Sequence, residues 1–383
     1  MRKTRFARAL RRARNEHGAT VPTGQGAMKA YIEIPQEVAF VTPARLPAFA
    51  PGVLDDGVLG AVGHTPLVPL RRAGGGRLRV FAKLEGHNPG GSAKDRPALN
   101  ILRDAVEAGI VRPGTVVVES SSGNMGIGLA QVCRFLELRF VCVVDARTTE
   151  QNIRILRAYG AEVEVVEQPD PATGEFLPAR LRRVRELLGS FESSFWPDQF
   201  ANESNPAAHR EGTMREIAAE LEGEVDYLFC ATSTCGTLRG CAEYVRAEGL
   251  HTQIVAVDAL GSVIFGGPRA ERIVPGLGSG LMPGLLRPGL EDYQVHVTNL
   301  DCVVGCRRLA LREALLAGGS AGGVYTAFER MQHEIPDGAT CALVFCDRGE
   351  RYLETVFNDE WVSARFGDVS HLWQAGERKV QWT

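Results

Sequence analysis

The 383-residue sequence contains no run of about 18 apolar side chains, the length that a membrane-spanning helix needs. Its first residues, MRKTRFARALRRARNEHG, also lack the apolar core of a signal peptide. A strong excess of one charge is missing too, because the formal net charge is −3. These absences predict a cytoplasmic protein that has neither a membrane nor a nucleic acid as its main partner.

Motifs for metals and for nucleotides are missing as well. The nine cysteines are odd in number and lie mostly inside apolar runs, which is typical of reduced, buried thiols. Cys302 and Cys306 are close in sequence, but no second Cys or His pair completes a zinc set, so no metal is expected. Without GxGxxG and a downstream acid, a nicotinamide dehydrogenase is disfavoured.

The N-terminus is the one strongly basic segment, with seven Arg or Lys residues before residue 15. Basic tails of this kind seldom pack, so we expect residues 1–47 to be a disordered extension. Translation starting at Met28 would be another explanation of the same segment. A targeting or binding arm is the functional alternative.

Short β-branched runs alternate with longer amphipathic stretches along the chain. Predicted strands cover residues 78–84, 115–120, 139–144, 162–166, 225–231, 253–258 and 341–346. Predicted helices cover about 97–108, 124–137, 150–159, 176–188, 206–222, 237–248, 303–317 and 321–333. This alternation predicts an α/β fold with open, mostly parallel sheets, whose ligands bind at loops that follow the strands.

Three such loops are unusual in composition: NPGGSAKDR (88–96), ESSSGNMG (119–126) and ATSTCGT (231–237). The third is small and rich in hydroxyls before a helix, which suits a single phosphate, or only a cap and a tight turn. The second suits a carboxylate, or only a helix cap. In the first, Lys94 is either a nucleophilic amine in a cleft or a solvated surface charge.

Taken together, these loops resemble those of the cysteine synthase/cystathionine β-synthase family, whose members use pyridoxal 5′-phosphate (PLP). Further motifs in the family's order are GHTPLVPL (63–70), VPGLGSGLMP (274–283) and GGSAGG (318–323). The resemblance covers about residues 55–350.

The resemblance implies a set of residues that bind the cofactor. Lys94 matches the lysine that holds PLP as a Schiff base and later moves the α-proton, and Asn124 matches the asparagine that bonds the cofactor's 3′ oxygen. Ser320 matches the serine that faces the pyridine nitrogen, which favours prompt loss of a β-leaving group. The loop matching the phosphate cup comprises Ser233, Thr234, Cys235, Gly236 and Thr237.

The resemblance also implies where the amino-acid substrate binds. Ser121, Ser122 and Gly123 match the loop that grips the α-carboxylate, and Gln199 looks like the family glutamine near it. Met125 stands where sulfhydrylases usually carry threonine, which removes a hydroxyl near this carboxylate.

The implied architecture is that of a fold-type II PLP enzyme, similar to the β subunit of tryptophan synthase, with two open α/β domains and the cofactor in the cleft. The expected larger, PLP-binding domain comprises residues 48–95 and 205–350, and the smaller comprises 96–204, followed by a C-terminal segment, 351–383. The resemblance further implies a homodimer whose smaller domain closes when the α-carboxylate binds.

Departures from the sulfhydrylase pattern bear on the substrates. Besides Met125, they are the altered 233–237 loop, the arginine-rich segment 167–188 and the segment 346–361. These features look like the subgroup that joins O-phospho-L-serine and L-glutamate into N-(2-amino-2-carboxyethyl)-L-glutamate, which supplies 2,3-diaminopropionate to siderophores and peptide antibiotics. Two extra anionic groups would call for arginines, and Arg180 is the candidate, unless it only forms the solvated face of a helix.

Two other functions remain open at this point. One is a cysteine synthase that uses O-acetylserine or O-phosphoserine with sulfide. The other is a non-catalytic binding or regulatory member of the family, which the presence of Lys94, Asn124 and Ser320 disfavours.

Overall fold

The structure, a computed structural model, describes residue 49 and residues 52–374. The expected disordered extension 1–47, including Met28, lies outside the described residues. All described residues belong to one compact unit of the chain, Leu46–Thr383.

Ten strands and eleven α-helices are formed by the described residues. The strands are β1 (Leu67–Pro69), β2 (Arg79–Leu84), β3 (Val116–Ser120), β4 (Arg139–Asp145), β5 (Glu162–Val166), β6 (Ser194–Phe195), β7 (Tyr227–Ala231), β8 (Gln253–Ala259), β9 (Tyr293–Val297) and β10 (Thr340–Phe345). The helices are α1 (Asp95–Glu107), α2 (Asn124–Phe135), α3 (Glu150–Ala158), α4 (Phe176–Leu188), α5 (Ser204–Ala208), α6 (Arg215–Glu220), α7 (Gly236–Ala247), α8 (Asn299–Glu313), α9 (Gly319–Met331), α10 (Asp359–Phe366) and α11 (His371–Gln374).

The strands form two separate sheets. One has six strands in the order β1-β2-β10-β7-β8-β9 and is parallel except for β1, which pairs antiparallel with β2. The other has four parallel strands in the order β5-β4-β3-β6. Parallel sheets need a helix on each crossover, so their central strands are covered on both faces. The predicted α/β fold class is confirmed.

Each sheet has its own buried core. Apolar side chains of the six-stranded sheet pack with those of α7, α8 and α9. Those of the four-stranded sheet pack with α1 and α2 on one face and with α4 on the other. Leu54 and Leu59 pack into this second core, ahead of the segment 96–204. The exact domain boundaries stay a prediction.

All seven predicted strands are present, with bounds within two residues of the observed ones. Predicted helix 206–222 is instead three pieces: α5, a π-helix at His209–Met214, and α6. Predicted helix 303–317 begins earlier, at Asn299, because Thr298 and Asp301 form a capping box, and it ends at Ala314 in a left-handed conformation.

Among residues 52–374, no helix combines the length and the apolar character that crossing a bilayer would require. Within the same part of the chain, no group of three or more His, Cys, Asp or Glu side chains could hold a metal ion. All nine cysteines are free, and all but Cys346 are buried, as predicted.

Candidate active site

The three unusual loops meet at one cavity of about 260 Å³. It lies where β2, β3, β7 and β10 end, in agreement with the rule that parallel sheets bind ligands at their carboxyl ends. Every site residue predicted from the sequence lines it: Lys94, Ser121, Ser122, Gly123, Asn124, Met125, Arg180, Gln199, Ser233, Thr234, Cys235, Gly236, Thr237 and Ser320.

Lys94 lies immediately before α1 and is half-buried. Its backbone N–H donates to Ser92 Oγ at 3.2 Å. Its ammonium group has no hydrogen-bond or ion-pair partner among the described residues. The turn before it is held by the Gly90 N–H, which donates to the Asp95 carboxylate at 2.5 Å. An amine on a fixed turn, facing a cavity and free of partners, is suited to covalent chemistry.

Buried charges support the Lys94 turn from behind. Arg96 donates to the Glu85 carboxylate at 2.7 and 2.8 Å and to Glu216 at 2.7 Å. Lys83, with a fully buried side chain, is 2.9 Å from Glu216 and 3.0 Å from the more exposed Glu220. Burial alone would raise the pKa of Glu216, but hydrogen bonds and charge from Arg96 lower it to about 2. The chain segment that carries Lys94 is therefore attached to the six-stranded sheet by paired charges.

The loop 121–125 ends in α2. Ser121 Oγ accepts from the Gly126 N–H at 2.9 Å, so this serine satisfies an amide in the first turn of the helix as well as lining the cavity. The Ser122 carbonyl accepts from Asn152 Nδ2 at 3.0 Å. Met125 is buried, in keeping with an apolar side chain at this end of the site. The hydroxyls and helix amides of this loop can bind a carboxylate.

Asn124 is joined to the loop after β10, within the segment 346–361. Its Nδ2 donates to Asp347 Oδ2 at 2.8 Å, and its Oδ1 accepts from Arg351. Arg351 also donates to the Gly90 carbonyl at 2.5 Å, and Tyr352 donates to Asp347 at 2.8 Å. Burial raises the pKa of Asp347. Arg351 therefore connects the Asn124 loop to the Lys94 turn.

The loop 233–237 forms a small cup at the start of α7. Cys235 precedes this helix in a left-handed conformation, with φ of 66°, and its side chain makes no capping hydrogen bond. A Cβ atom at Gly236 would collide with the Asn205 side-chain amide. Thr237 Oγ1 is 3.2 Å from His209 Nε2. The Gly236 N–H donates to Thr234 Oγ1 at a long 3.4 Å. Amides at a helix start together with hydroxyls around a small loop are a site for a phosphate.

Gln199 and Ser320 occupy two other sides of the cavity. Both are buried, and Gln199 Nε2 donates to the Ser120 carbonyl at 3.2 Å. Ser320 lies in the first turn of α9, and both Ser320 and Cys346 line the cavity. Burial raises the pKa of Cys346 to about 11, so it is a thiol at neutral pH.

Arg180 projects from α4 and is mostly buried, with 12% of its side chain exposed. Its Nε is 3.3 Å from Asp145 Oδ2, yet the atom forms no hydrogen bond to any described residue. Burial, together with the nearby charge of Arg147, lowers its pKa, although Asp145 opposes that shift. The alternative of a solvated helix face does not apply to this arginine, whose neighbours Arg182 and Arg183 are more exposed.

The fit of PLP can be tested on the cavity itself. Four buried polar atoms on its lining have no hydrogen-bond partner among the described residues: Ser120 Oγ, Asn152 Oδ1, Arg180 Nε and Asp347 Oδ1. A buried polar atom without a hydrogen bond destabilises the folded protein unless a ligand or a water molecule bonds to it. A free amine suits the aldehyde of PLP, the cup suits its phosphate and the Ser320 hydroxyl suits its ring nitrogen. The residues therefore fit this cofactor.

Comparison with known proteins agrees with this fit. The family described as "Pyridoxal-phosphate dependent enzyme" matches residues 58–347. A hydrogen sulfide-producing enzyme from Fusobacterium nucleatum is 31% identical, with a TM-score of 0.73 over 78% of this chain and 99% of that one. An O-ureido-L-serine synthase is 31% identical, with a TM-score of 0.74 over 80% of this chain and 99% of that one. An O-acetylserine dependent cystathionine β-synthase from Helicobacter pylori is 27% identical, with a TM-score of 0.72 over 78% and 97%.

Proposed function

We propose substrates for this chain, which belongs to the family of pyridoxal-phosphate dependent enzymes and catalyses a β-replacement. The proposed substrates are O-phospho-L-serine and L-glutamate. The products are N-(2-amino-2-carboxyethyl)-L-glutamate and phosphate. The bond between the serine β-carbon and the phosphate oxygen breaks with its electron pair on phosphate. The glutamate nitrogen forms the new bond to that carbon and gives up one proton.

When bound, PLP supplies an electron sink for the α-carbon of the amino acid. In the proposed assignment, Lys94 attaches the cofactor and later takes the α-proton on its Nζ, for which the released amine must be neutral and face the substrate. The 233–237 cup binds the cofactor phosphate. Ser320 faces the ring nitrogen as a neutral hydroxyl, which supports elimination over a long-lived carbanion.

The substrate is held in the proposed mechanism by the 121–125 loop. Ser121, Ser122 and Gly123 bind the α-carboxylate, with Gln199 beside them. Met125 contributes an apolar wall instead of a hydroxyl. Closure of this loop over the substrate would exclude water, which would otherwise compete with the nucleophile for the β-carbon.

The observation that carries the choice of substrates is Arg180. A guanidinium that is mostly buried, lines the same cavity as Lys94 and has an unbonded Nε is suited to an anionic ligand. Sulfide would not need such a group. A phosphorylated amino acid and a dicarboxylic nucleophile both would.

The decisive experiment supplies O-phosphoserine with either glutamate or sulfide to the PLP-loaded protein and identifies the products by mass spectrometry. We expect the glutamate adduct to form in proportion to the phosphate released. Cysteine formation at a comparable rate, with no glutamate adduct, would instead identify a cysteine synthase. A protein that neither binds PLP nor releases phosphate would be a non-catalytic member of the family.

The setting of the reaction is part of the same proposal. Nine free cysteines suit a reducing compartment, so we place the enzyme in the cytoplasm. We also propose a homodimer, and a product that supplies 2,3-diaminopropionate to a siderophore or peptide antibiotic. Light scattering on the purified protein checks the homodimer directly.

A further inference from the structure

A second cavity, of about 190 Å³, adjoins the one that contains Lys94. The two cavities have four lining residues in common: Leu177, Arg180, Phe200 and Ser233. A site for a single water needs only about 10–15 Å³, so the second cavity has room for a small organic molecule. A ligand in it would lie directly beside the proposed reaction site.

The lining of this second cavity is strongly cationic. It contains Arg147, Arg180 and Arg272, and a single carboxylate, that of Glu175. The guanidinium groups outnumber the carboxylate, so this lining favours an anionic ligand, and each of two ligand carboxylates can contact a guanidinium. Asp145 pairs with Arg180 from outside this lining, at 3.3 Å, and lies 3.8 Å from Arg147.

The three guanidinium groups retain capacity for a ligand. Arg272 uses Nη1 to donate to the Gly261 carbonyl at 2.7 Å. Arg147 stacks over the Phe176 ring, 4.5 Å from its centroid, a contact that leaves its N–H edge available. Glycines make room around Arg272, because a Cβ atom at Gly280 would be 3.2 Å from its Nη2.

We infer that this second cavity is the binding site of the nucleophilic substrate, and that it selects a dicarboxylic amino acid by pairing its carboxylates with Arg272, Arg147 and Arg180. The inference rests on the proposed function and assigns a separate place to the second substrate. The amino group of that substrate points toward the shared lining, and so toward the β-carbon held above Lys94. Ser279, also on the lining, adds a hydroxyl.

Substitution of Arg272 by glutamine tests the assignment by steady-state kinetics. We expect the KM for glutamate to rise by about tenfold or more, since a charged hydrogen bond is lost, while the KM for O-phosphoserine changes less than about twofold. Arg147→Gln should also raise the KM for glutamate. Because 67% of the Arg147 side chain is exposed, this substitution should not disturb folding. Arg287→Gln is the matched control, because Arg287 lies on neither cavity lining and should leave both constants unchanged.

A rise in the KM for O-phosphoserine alone would overturn the inference, because it would place these arginines on the phosphate leaving group. Unchanged constants in both Arg272→Gln and Arg147→Gln would overturn it as well. In either case the glutamate adduct would still form, so the proposed reaction would survive.

A binding measurement tests the second cavity independently of the proposed reaction. Glutarate has two carboxylates and no amine, so it can occupy the cavity without reacting. We expect calorimetric titration of the PLP-loaded protein to give at least about tenfold tighter binding of glutarate than of butyrate, and Arg272→Gln to remove this preference. That result without any glutamate adduct would support the dicarboxylate site and refute the proposed reaction. Equal binding of the two acids would refute the site.

Discussion

At the scale of single residues, Lys94 is where the proposed chemistry can be removed with least damage to the fold. Its side chain reaches into the cavity, and no described residue pairs with its ammonium group. We expect Lys94→Ala to abolish turnover, while circular dichroism and the melting temperature stay close to the wild type. The cofactor should also lose its Schiff-base absorption. Near-normal turnover in this variant would remove the basis of the mechanism.

Asp95, the next residue, should make stability depend on pH. Burial raises its pKa to about 7 from an ordinary value of 3.8, against the opposing Gly90 N–H and Arg351 charge. Its Oδ1 has no hydrogen-bond partner among residues 52–374, which suits a protonated carboxyl. Because the folded protein keeps this proton to higher pH than the unfolded chain, the stability it contributes is present below about pH 4 and is lost as pH rises to about 7.

The variant Asp95→Asn keeps the shape and cannot titrate. We expect its melting temperature, relative to the wild type, to rise between about pH 4 and about pH 7, the window that the raised pKa of Asp95 sets. Other buried groups titrate in both proteins, so only the difference between the two melting curves is informative. A difference that does not vary with pH would show that Asp95 is ionised in the folded protein throughout.

At the scale of elements, the π-helix at His209–Met214 supports the phosphate cup. His209 is fully buried, and burial, followed by the charges of Lys94 and Arg96, holds its pKa well below the ordinary value. The neutral ring contacts Thr213 Oγ1 at 2.9 Å and Thr237 Oγ1 at 3.2 Å. The His209 ring therefore fixes the orientation of the Thr237 hydroxyl in the cup.

We expect His209→Leu to weaken PLP binding roughly fivefold, the effect of about 1 kcal/mol for one hydrogen bond. Fluorescence titration of the cofactor-free protein measures it. Thr213→Val is the control, because it breaks the other contact of the ring and leaves Thr237 paired. Equal losses in both variants would mean that the π-helix acts on overall stability and not on the cup.

Much of the fold could be predicted because its central strands are buried on both faces. Strands β1 and β6 are too short for a pattern to show, and β9 is mostly exposed or half-buried, so it has no continuous apolar run. A π-helix leaves no signature that differs from an α-helix over six residues.

For the site, the loops that follow strands β2, β3 and β7 were found by their small and hydroxylated residues. The segment 346–361 after β10 was noted only as a departure from the sulfhydrylase pattern, although its place at the end of a parallel strand also points to Asp347 and Arg351. Their contacts with Asn124 could not be predicted, since the residues are more than 200 positions apart in the chain. Arg180 was found, but its pairing with Asp145 was not.

At the scale of the whole molecule, the two sheets have separate cores, so we expect them to unfold cooperatively only when the cofactor is bound. PLP, as proposed, would contact the cup after β7 in one sheet and Asn124 after β3 in the other. A ligand that binds only the folded state stabilises it, by about 2.7 kcal/mol at a concentration 100 times its Kd. We expect calorimetry to show one transition with PLP and two without it. Identical profiles would argue that the two cores unfold as one unit.

The buried charges behind Lys94 also restrict how this sequence can change over time. Loss of Arg96 alone would leave the buried Glu85 carboxylate without a positive charge beside it, and loss of Glu216 would leave the buried Lys83 only the more exposed Glu220 as a counter-charge. Each single replacement is costly, whereas a paired replacement by apolar side chains need not be. Lys83, Glu85, Arg96 and Glu216 should therefore change together in evolution. A related chain is expected either to retain all four charges or to have replaced all of them.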